Sequence, residues 1–308
     1  MNMDLVVRTP RLPAPGQTVM AHEFLQVCGG KGANQAVAVA RLGGRTAMIG
    51  AVGEDAFGQA LLESLKREHI EIRGVVRKPG PSGVAFVAVE EGGENAILVV
   101  AGANGELRPA DVDRAGEILR AASLVLLQLE IPLPTVLHTV RLCRQWGIPV
   151  LLNPAPAPEE FPGELYGVDI LCPNQTETAG LVGGVTPATV EDARGAAELL
   201  LGRGAKRVVI TLGALGAVAA ESQPKGTPRV EWLPAFKVDA VDTVAAGDAF
   251  LGALAYRMAG GVPFFEACRF ACAAAACAVT VPGAQASLPA LDDVLSRLRS
   301  GLDQGLVR

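Results

Sequence analysis

Leu124-Val125-Leu126-Leu127-Gln128-Leu129 is a short apolar run. Pro134–Trp146 follows with apolar residues at helical spacing, and then Pro149-Val150-Leu151-Leu152. Two strand-like runs without a charged residue, joined through a helix, are the pattern of a parallel sheet buried on both faces. The same pattern continues toward the C-terminus. Val168–Cys172 reads as a strand, Thr189–Gly202 as a helix and Arg207–Leu212 as the next strand. Ala245–Met258, Pro263–Val281 and Pro289–Ser300 read as closing helices. The expected fold class is therefore α/β, a three-layer parallel-sheet core with helices on both faces.

The first third differs. Ser82–Glu90 and Asn95–Val100 are apolar, β-branched runs joined by Glu91-Gly92-Gly93-Glu94, a hairpin signal. Leu5–Val7 and Gln17–Val27 also look extended and are separated by a Pro-rich turn. These four segments can form a small sheet beside the core, either a lid or a decorated sheet edge. We expect a single domain over 1–308, with about 5–28 and 82–101 as the lid and 29–81 with 102–308 as the core.

Composition narrows the function. The chain has 308 residues, of which 50% are hydrophobic, enough for a large core. A net charge of -5 and only 4% aromatic residues leave neither basic patches nor stacking rings for nucleic acid. Ala271–Val281 is too short to span a bilayer, and no signal peptide is visible, so no membrane role and a cytoplasmic location are expected. The 6 cysteines include no C-x-x-C pair and read as free, buried thiols. Cys268 and Cys272 share a helical face, but no third ligand completes a metal site.

Asp242-Thr243-Val244-Ala245-Ala246-Gly247-Asp248 opens the first closing helix. Free N–H groups at a helix start, aided by the helix dipole, suit an anion such as phosphate. A carboxylate beside a phosphate cradle is repelled by it unless it takes a proton from an attacking hydroxyl. Asp248 is thus the candidate base of a kinase.

Four other motifs join it. Cys28-Gly29-Gly30-Lys31-Gly32-Ala33-Asn34 precedes an amphipathic helix through Leu42 and is not a phosphate loop of the Walker type. Its glycines allow close approach to the backbone, and Lys31 and Asn34 supply the donor and acceptor mix that a polyol requires. Alone, it is turn chemistry. Asn174-Gln175-Thr176-Glu177 follows a strand; Asn174 reads first as a helix cap, and with Glu177 as an organiser of hydrated Mg²⁺. Thr211-Leu212-Gly213-Ala214-Leu215-Gly216 is a turn against which a nucleotide can lie, or a plain strand link. Glu130, at a strand's carboxyl end, can accept from a hydroxyl; Asn153 is a weaker candidate of the same kind.

Together and in this order, these motifs resemble the ribokinase/carbohydrate kinase family over essentially the whole chain. The segments Gly29–Gly44 and Asp242–Phe250 look like its two signatures. Ala101-Gly102-Ala103-Asn104, Gln128-Leu129-Glu130, Asn153-Pro154-Ala155-Pro156-Ala157, Asn174–Glu177 and Gly283-Ala284-Gln285-Ala286-Ser287 resemble its ribokinase branch. The resemblance implies a ribokinase-like fold and ATP-dependent phosphorylation of D-ribose at O5. It implies sugar contacts from Asn2, Asp4, Gly30, Lys31, Gly32, Ala33, Asn34 and Glu130. Asp248 would be the base, with the N–H groups of Ala245, Ala246 and Gly247 steadying the phosphoryl group. ATP would meet Asn174, Glu177, Thr211, Leu212, Gly213, Ala214, Leu215, Gly216, Gly247 and Cys272, with Mg²⁺ on the phosphates. Asp242 and Ser287, with carbonyls of Val244, Ala278, Val281 and Gly283, would surround K⁺. The lid would build a homodimer.

The chain departs from the family at two places. Cys272 stands where a polar nucleotide-side residue is common. Family members also begin with a core strand ahead of the Asn-x-Asp matched by Asn2 and Asp4, and this chain starts at that Asn, so the first core strand is expected to be missing. A start placed too late is the favoured expectation, a natural variant with a weakened sugar site the other. The remaining readings are another sugar or nucleoside kinase of the family, such as a fructokinase or deoxyribokinase, or a non-catalytic sugar or nucleotide binder.

Overall fold

The computed structural model describes residues 1–90, 92 and 95–303. Its strands are β1 (Asn2–Thr9), β2 (Glu23–Gly29), β3 (Ala47–Gly53), β4 (Glu71–Lys78), β5 (Gly83–Glu90), β6 (Asn95–Val100), β7 (Val125–Leu127), β8 (Val150–Leu152), β9 (Ile170–Leu171), β10 (Arg207–Thr211), β11 (Ala217–Glu221) and β12 (Arg229–Leu233). The helices are α1 (Lys31–Arg41), α2 (Ala56–Arg67), α3 (Pro109–Arg114), α4 (Gly116–Arg120), α5 (Leu133–Trp146), α6 (Gly163–Tyr166), α7 (Gln175–Val182), α8 (Val190–Gly202), α9 (Ala246–Ala259), α10 (Phe264–Ala278) and α11 (Leu291–Asp303).

The main sheet runs β12-β11-β10-β9-β8-β7, parallel from β7 to β10 and antiparallel beyond. Alternate side chains of its strands enter two different cores, as a two-residue period requires. Leu151, Ile170, Val209, Ala217 and Ala219 pack with α9 and α10 on one face. Val150, Leu152, Leu171, Val208, Ile210, Val218 and Ala220 pack with α5 and α8 on the other. The strand-helix alternation after residue 105 is thereby found as expected, with the strands one to three residues shorter than their apolar runs. The runs overshoot because sheet hydrogen bonding stops before burial does. α5 ends at Gly147, whose φ of 69° supplies the left-handed turn that the helix exit needs.

A second sheet holds only β3 and β4, paired in parallel. The break falls between β7 and β3, and among the described residues each of these strands has one unpaired ladder edge. Ile49 of β3 packs against the cluster that receives Leu127 and Leu129, so the two sheets adjoin without sharing hydrogen bonds. Met1 lies at the break, 5% exposed, with its Cε 3.3 Å from the point that a side chain on Gly50 would occupy.

The small sheet has the order β2-β1-β5-β6. β1 runs parallel to β5 and antiparallel to β2. It is longer than the extended segment 5–7 read from the sequence, because parallel pairing from Asn2↔Gly83 to Thr9↔Glu90 holds its whole length. β2 begins only at Glu23, so the extended run expected from Gln17 is strand in its second half alone. Apart from Gly92, the hairpin turn at Glu91–Glu94 lies outside the described residues.

α1 and α9 cross where α9 carries Gly252. A Cβ there would fall 2.4 Å from the Ala38 Cβ and 3.0 Å from the Gln35 carbonyl oxygen. The two helix backbones therefore touch, and this contact sets the site described next.

Candidate active site

Ala245 has φ 60°, the left-handed region that an alanine enters at a cost of about 1–2 kcal/mol. Its methyl is held against the cluster containing Ala249 and Leu288. This turn starts α9 without a side-chain cap. The Ala246 N–H donates to the Thr243 carbonyl at 3.2 Å, which takes it out of the donor set that the sequence had assigned to the phosphoryl group. Among the described residues nothing accepts from the N–H of Ala245, Gly247 or Asp248, so the free donors flank Ala246.

Asp248, in the first turn of α9, is 8% exposed. Its Oδ2 accepts from Asn34 Nδ2 at 2.9 Å and its Oδ1 from Gln35 Nε2 at 2.9 Å. Burial pushes its carboxyl above the ordinary carboxylate range, and Lys31 with the two amides opposes that shift. Asn34 is 5% exposed and its Oδ1 has no partner. A buried acceptor left open beside an acceptor-only carboxylate suits a guest that donates hydrogen bonds, as a hydroxyl does.

A cavity of about 240 Å³ opens here. Its walls are Lys31, Asn153, Cys172, Asn174, Glu177, Thr211, Thr243, Ala245, Gly247, Asp248 and Leu251. Asn174 does cap a helix: its Oδ1 accepts from Glu177 N at 2.8 Å and Glu177 Oε2 accepts from Asn174 N at 2.9 Å. The same pair also lines the cavity, so the capping role does not take it away from the site. Burial raises the Glu177 carboxyl above its ordinary range and Asp248 adds to this, against hydrogen bonds from Asn174 and Asn153 and the charge of Lys31. Two carboxylates around one small cavity repel, an arrangement that a hard divalent cation would relieve. Asn153, which also donates to the Cys172 carbonyl at 3.1 Å, holds the wall together.

The sugar-side candidates meet at the mouth of the small sheet. Glu130 Oε2 accepts from the Lys31 N–H at 3.2 Å and so caps α1, whose N-cap residue Gly30 has no side chain to do it. Asn2 Oδ1 accepts from Asn104 Nδ2 at 2.8 Å. The glycines read as openings for a ligand have a different occupant. A Cβ on Gly29 would lie 2.1 Å from Asp4 Oδ2, and one on Gly30, where φ is 87°, 2.7 Å from the Asn2 nitrogen. Both make room for β1. Ala33 is 1% exposed and its methyl is in the core, so only its backbone is available.

Asp4 is pushed up to about 7 from its ordinary 3.8, first by burial and then by Glu130. A carboxyl that holds its proton more tightly folded than unfolded stabilises the fold at low pH. That contribution is full below the unfolded value and is lost as pH rises through the folded one. Asp4→Asn is therefore expected to raise Tm at about pH 8 and leave it nearly unchanged at about pH 4. Thermal unfolding at both pH values tests this, and an equal effect at each would show that Asp4 is not held protonated.

The remaining candidates divide. Thr211 lines the cavity, but Leu212 is 2% exposed in the core and Gly213–Gly216 lie outside the lining. Cys272 is 7% exposed in the core, and burial pushes its thiol up to about 12. The structure thus puts Cys172, and not Cys272, on the cavity wall. Asp242 accepts from Val244 N at 2.9 Å and from Gly283 N at 2.8 Å, tying the α9 turn to the 283–287 loop. Ser287, 3% exposed, donates to the Ala284 carbonyl. A more open cavity of about 530 Å³ lies behind this loop, between Cys277, Ser287 and Arg297, and touches none of the groups around Asp248. Gln35, Gln128, Cys172 and Leu251 were not among the residues singled out from the sequence. Gln35 carried a signal as an amide within the Ala-Val face of α1, and Gln128 stood in the quoted segment Gln128-Leu129-Glu130.

The comparisons agree with this geometry. The model of the pfkB family of carbohydrate kinases matches residues 1–291. The ribokinase of Schizosaccharomyces pombe is 39% identical over 303 residues, covering 96% of this chain and 94% of its own. A deoxyribokinase of Salmonella typhi is 38% identical, covering 94% of each. The structure of Arabidopsis thaliana ribokinase complexed with ribose and ATP superposes with a TM-score of 0.86 at 36% identity, over 97% of this chain and 96% of that one. With the family model matching residues 1–291 and relatives 38–39% identical along nearly their whole length, the chain belongs to the pfkB family of carbohydrate kinases.

Proposed function

We propose that the protein is a ribokinase, transferring the ATP γ-phosphate to O5 of D-ribose. The observation that carries this reading is the unpartnered Asn34 Oδ1 next to Asp248. The sugar's hydroxyls are held by Asn34, Asp4, Asn2, Glu130 and Lys31, with backbone of Gly30, Gly32 and Ala33. The reacting hydroxyl gives its proton to Asp248 as its oxygen attacks phosphorus. The N–H groups of Gly247 and Asp248, with Ala245, face the charge on the transferring group. In phosphoryl transfer, positioning and electrostatics supply the catalysis. Mg²⁺, organised by Asn174 and Glu177, neutralises the ATP phosphates when bound. K⁺ is assigned to Asp242 and Ser287 with the carbonyls of Val244, Ala278, Val281 and Gly283.

The small sheet is proposed as a lid and dimer surface. Phe24, Phe86, Leu98 and Val100 fall in one register face and are 48–72% exposed. Ile97 and Val99 are more than half exposed on the other face. A thin sheet apolar on both faces needs a partner surface, and a second copy offers one. A phosphorylated sugar fits less well, since the described part of Ser82–Val100 has no Lys or Arg to pair with it.

The deoxyribokinase similarity makes 2-deoxy-D-ribose the necessary competitor. ADP release is measured with D-ribose, 2-deoxy-D-ribose and fructose, in K⁺ and in Na⁺. Turnover is expected to be highest with D-ribose and to fall in Na⁺. Higher turnover with another sugar reassigns the substrate, and sugar binding without ADP release removes the kinase reading.

A further inference from the structure

Asp248 is held from behind by a chain of amides that the reaction as described does not use. Gln35 is fully buried, at 0% exposure, on the face of α1 that meets α9. An ionised carboxylate has only acceptors, so the Gln35 amide must turn its nitrogen toward Asp248 Oδ1. That leaves Gln35 Oε1 facing away, inside the protein, where it needs a donor. Gln128 Nε2, just past β7, donates to it. Gln128 has its own Oε1 beside Gly32: a Cβ at Gly32 would lie 3.0 Å from that oxygen and 3.2 Å from the Met48 Cε. The absence of a side chain at 32 therefore leaves room for Gln128. The chain Gln128, Gln35, Asp248 is directional, because each amide can be satisfied in one orientation only. Asn34 donates to the other carboxylate oxygen, but nothing holds its own Oδ1 from behind. Gln35 is the anchored one.

We propose that Gln35, fixed by Gln128, is the positioning residue that aims the Asp248 carboxylate at the reacting hydroxyl and keeps it ionised. Neither glutamine touches substrate; both act through Asp248. The inference rests on Asp248 being the base. With Gln35 in place, Oδ1 is locked and the carboxylate plane cannot rotate, so proton removal falls to an oxygen of fixed direction. A carboxylate buried this deeply also needs donated hydrogen bonds to stay charged near neutral pH.

The test is Gln35→Met, close in volume and without the donor. Its kcat near neutral pH is expected to drop about tenfold or more, and the acid limb of the kcat–pH profile to move up by about one pH unit or more, since lost hydrogen bonding to the charged form raises a carboxyl. KM for ATP and sugar should change little. Gln128→Met should shift the limb the same way by less, and it decides the matter if Gln35→Met does not fold, because Gln128 is only half-buried. An unmoved acid limb in the folded variant, or a loss confined to KM, overturns the proposal. Asp248→Asn separates the two failures: inactive there with an unmoved limb in Gln35→Met sinks only the glutamine chain, whereas an active Asp248→Asn sinks the base itself.

Discussion

Asp248→Asn is expected to lower turnover about 10²-fold or more, the scale of general-base effects, while the fold and ATP binding survive. The substitution removes a charge that burial makes costly, so Tm should be unchanged or raised. The new amide also finds partners. Gln35 can still donate to its oxygen, and Asn34 can turn over to present the Oδ1 that now has none. What the variant cannot do is accept a proton. Steady-state kinetics, thermal unfolding and ATP titration check the three parts separately. Near-wild-type turnover would remove Asp248 from catalysis.

The second large effect comes from a residue that touches no substrate. On an exposed helix, replacing Gly252 by Ala would gain about 1 kcal/mol of helix propensity, and by Val a few tenths. Here a Cβ would be 2.4 Å from the Ala38 Cβ, closer than two such atoms approach, and the third neighbour, Val39 N, is 3.3 Å away. Backbone cannot yield as a long side chain does, so α9 must lift from α1. Gly252→Val is expected to cost about 1–3 kcal/mol, the usual range for overpacking. The larger loss is in turnover. Both hydrogen bonds to Asp248 cross this helix pair at 2.9 Å, and a shift of about 1 Å breaks them and misaims the base, worth about 10²-fold. Full activity and full stability together would show that the two helices do not set the geometry.

The core was legible because its pattern is local. Leu124–Leu129, Pro149–Leu152 and Arg207–Leu212 announce buried strands by composition alone. Asp248 was legible for the same reason, as an acid set in a small-residue helix start. Pairings between distant segments were not. Gly29 and Gly30 carry no sign that the space they leave belongs to β1, because the sequence does not say which strand crosses them. Gln128 was quoted beside Glu130 without a role, since its partner lies 93 positions away. Cys172 and Cys272 both read as apolar positions, and only the packing of α10 against β9 puts the first on the cavity wall and the second behind it. The Ala246 N–H is turned back to the Thr243 carbonyl by the left-handed residue at Ala245, a turn that an alanine does not advertise.

The contact between α1 and α9 also orders events in time. Residues 35 and 248 are 213 positions apart, and Asn34 is 214 from the same carboxylate. Closing so long a loop is entropically expensive and slow compared with forming either helix. α1 can be helical, and α8 packed on its strands, while the proton acceptor is still free in water with an ordinary carboxylate's properties. Competence therefore arrives in one late step, when the C-terminal helices dock on the N-terminal one. During synthesis residues 34 and 35 are made long before residue 248, so under the proposed mechanism the base meets its two amide partners only after the C-terminal helices exist.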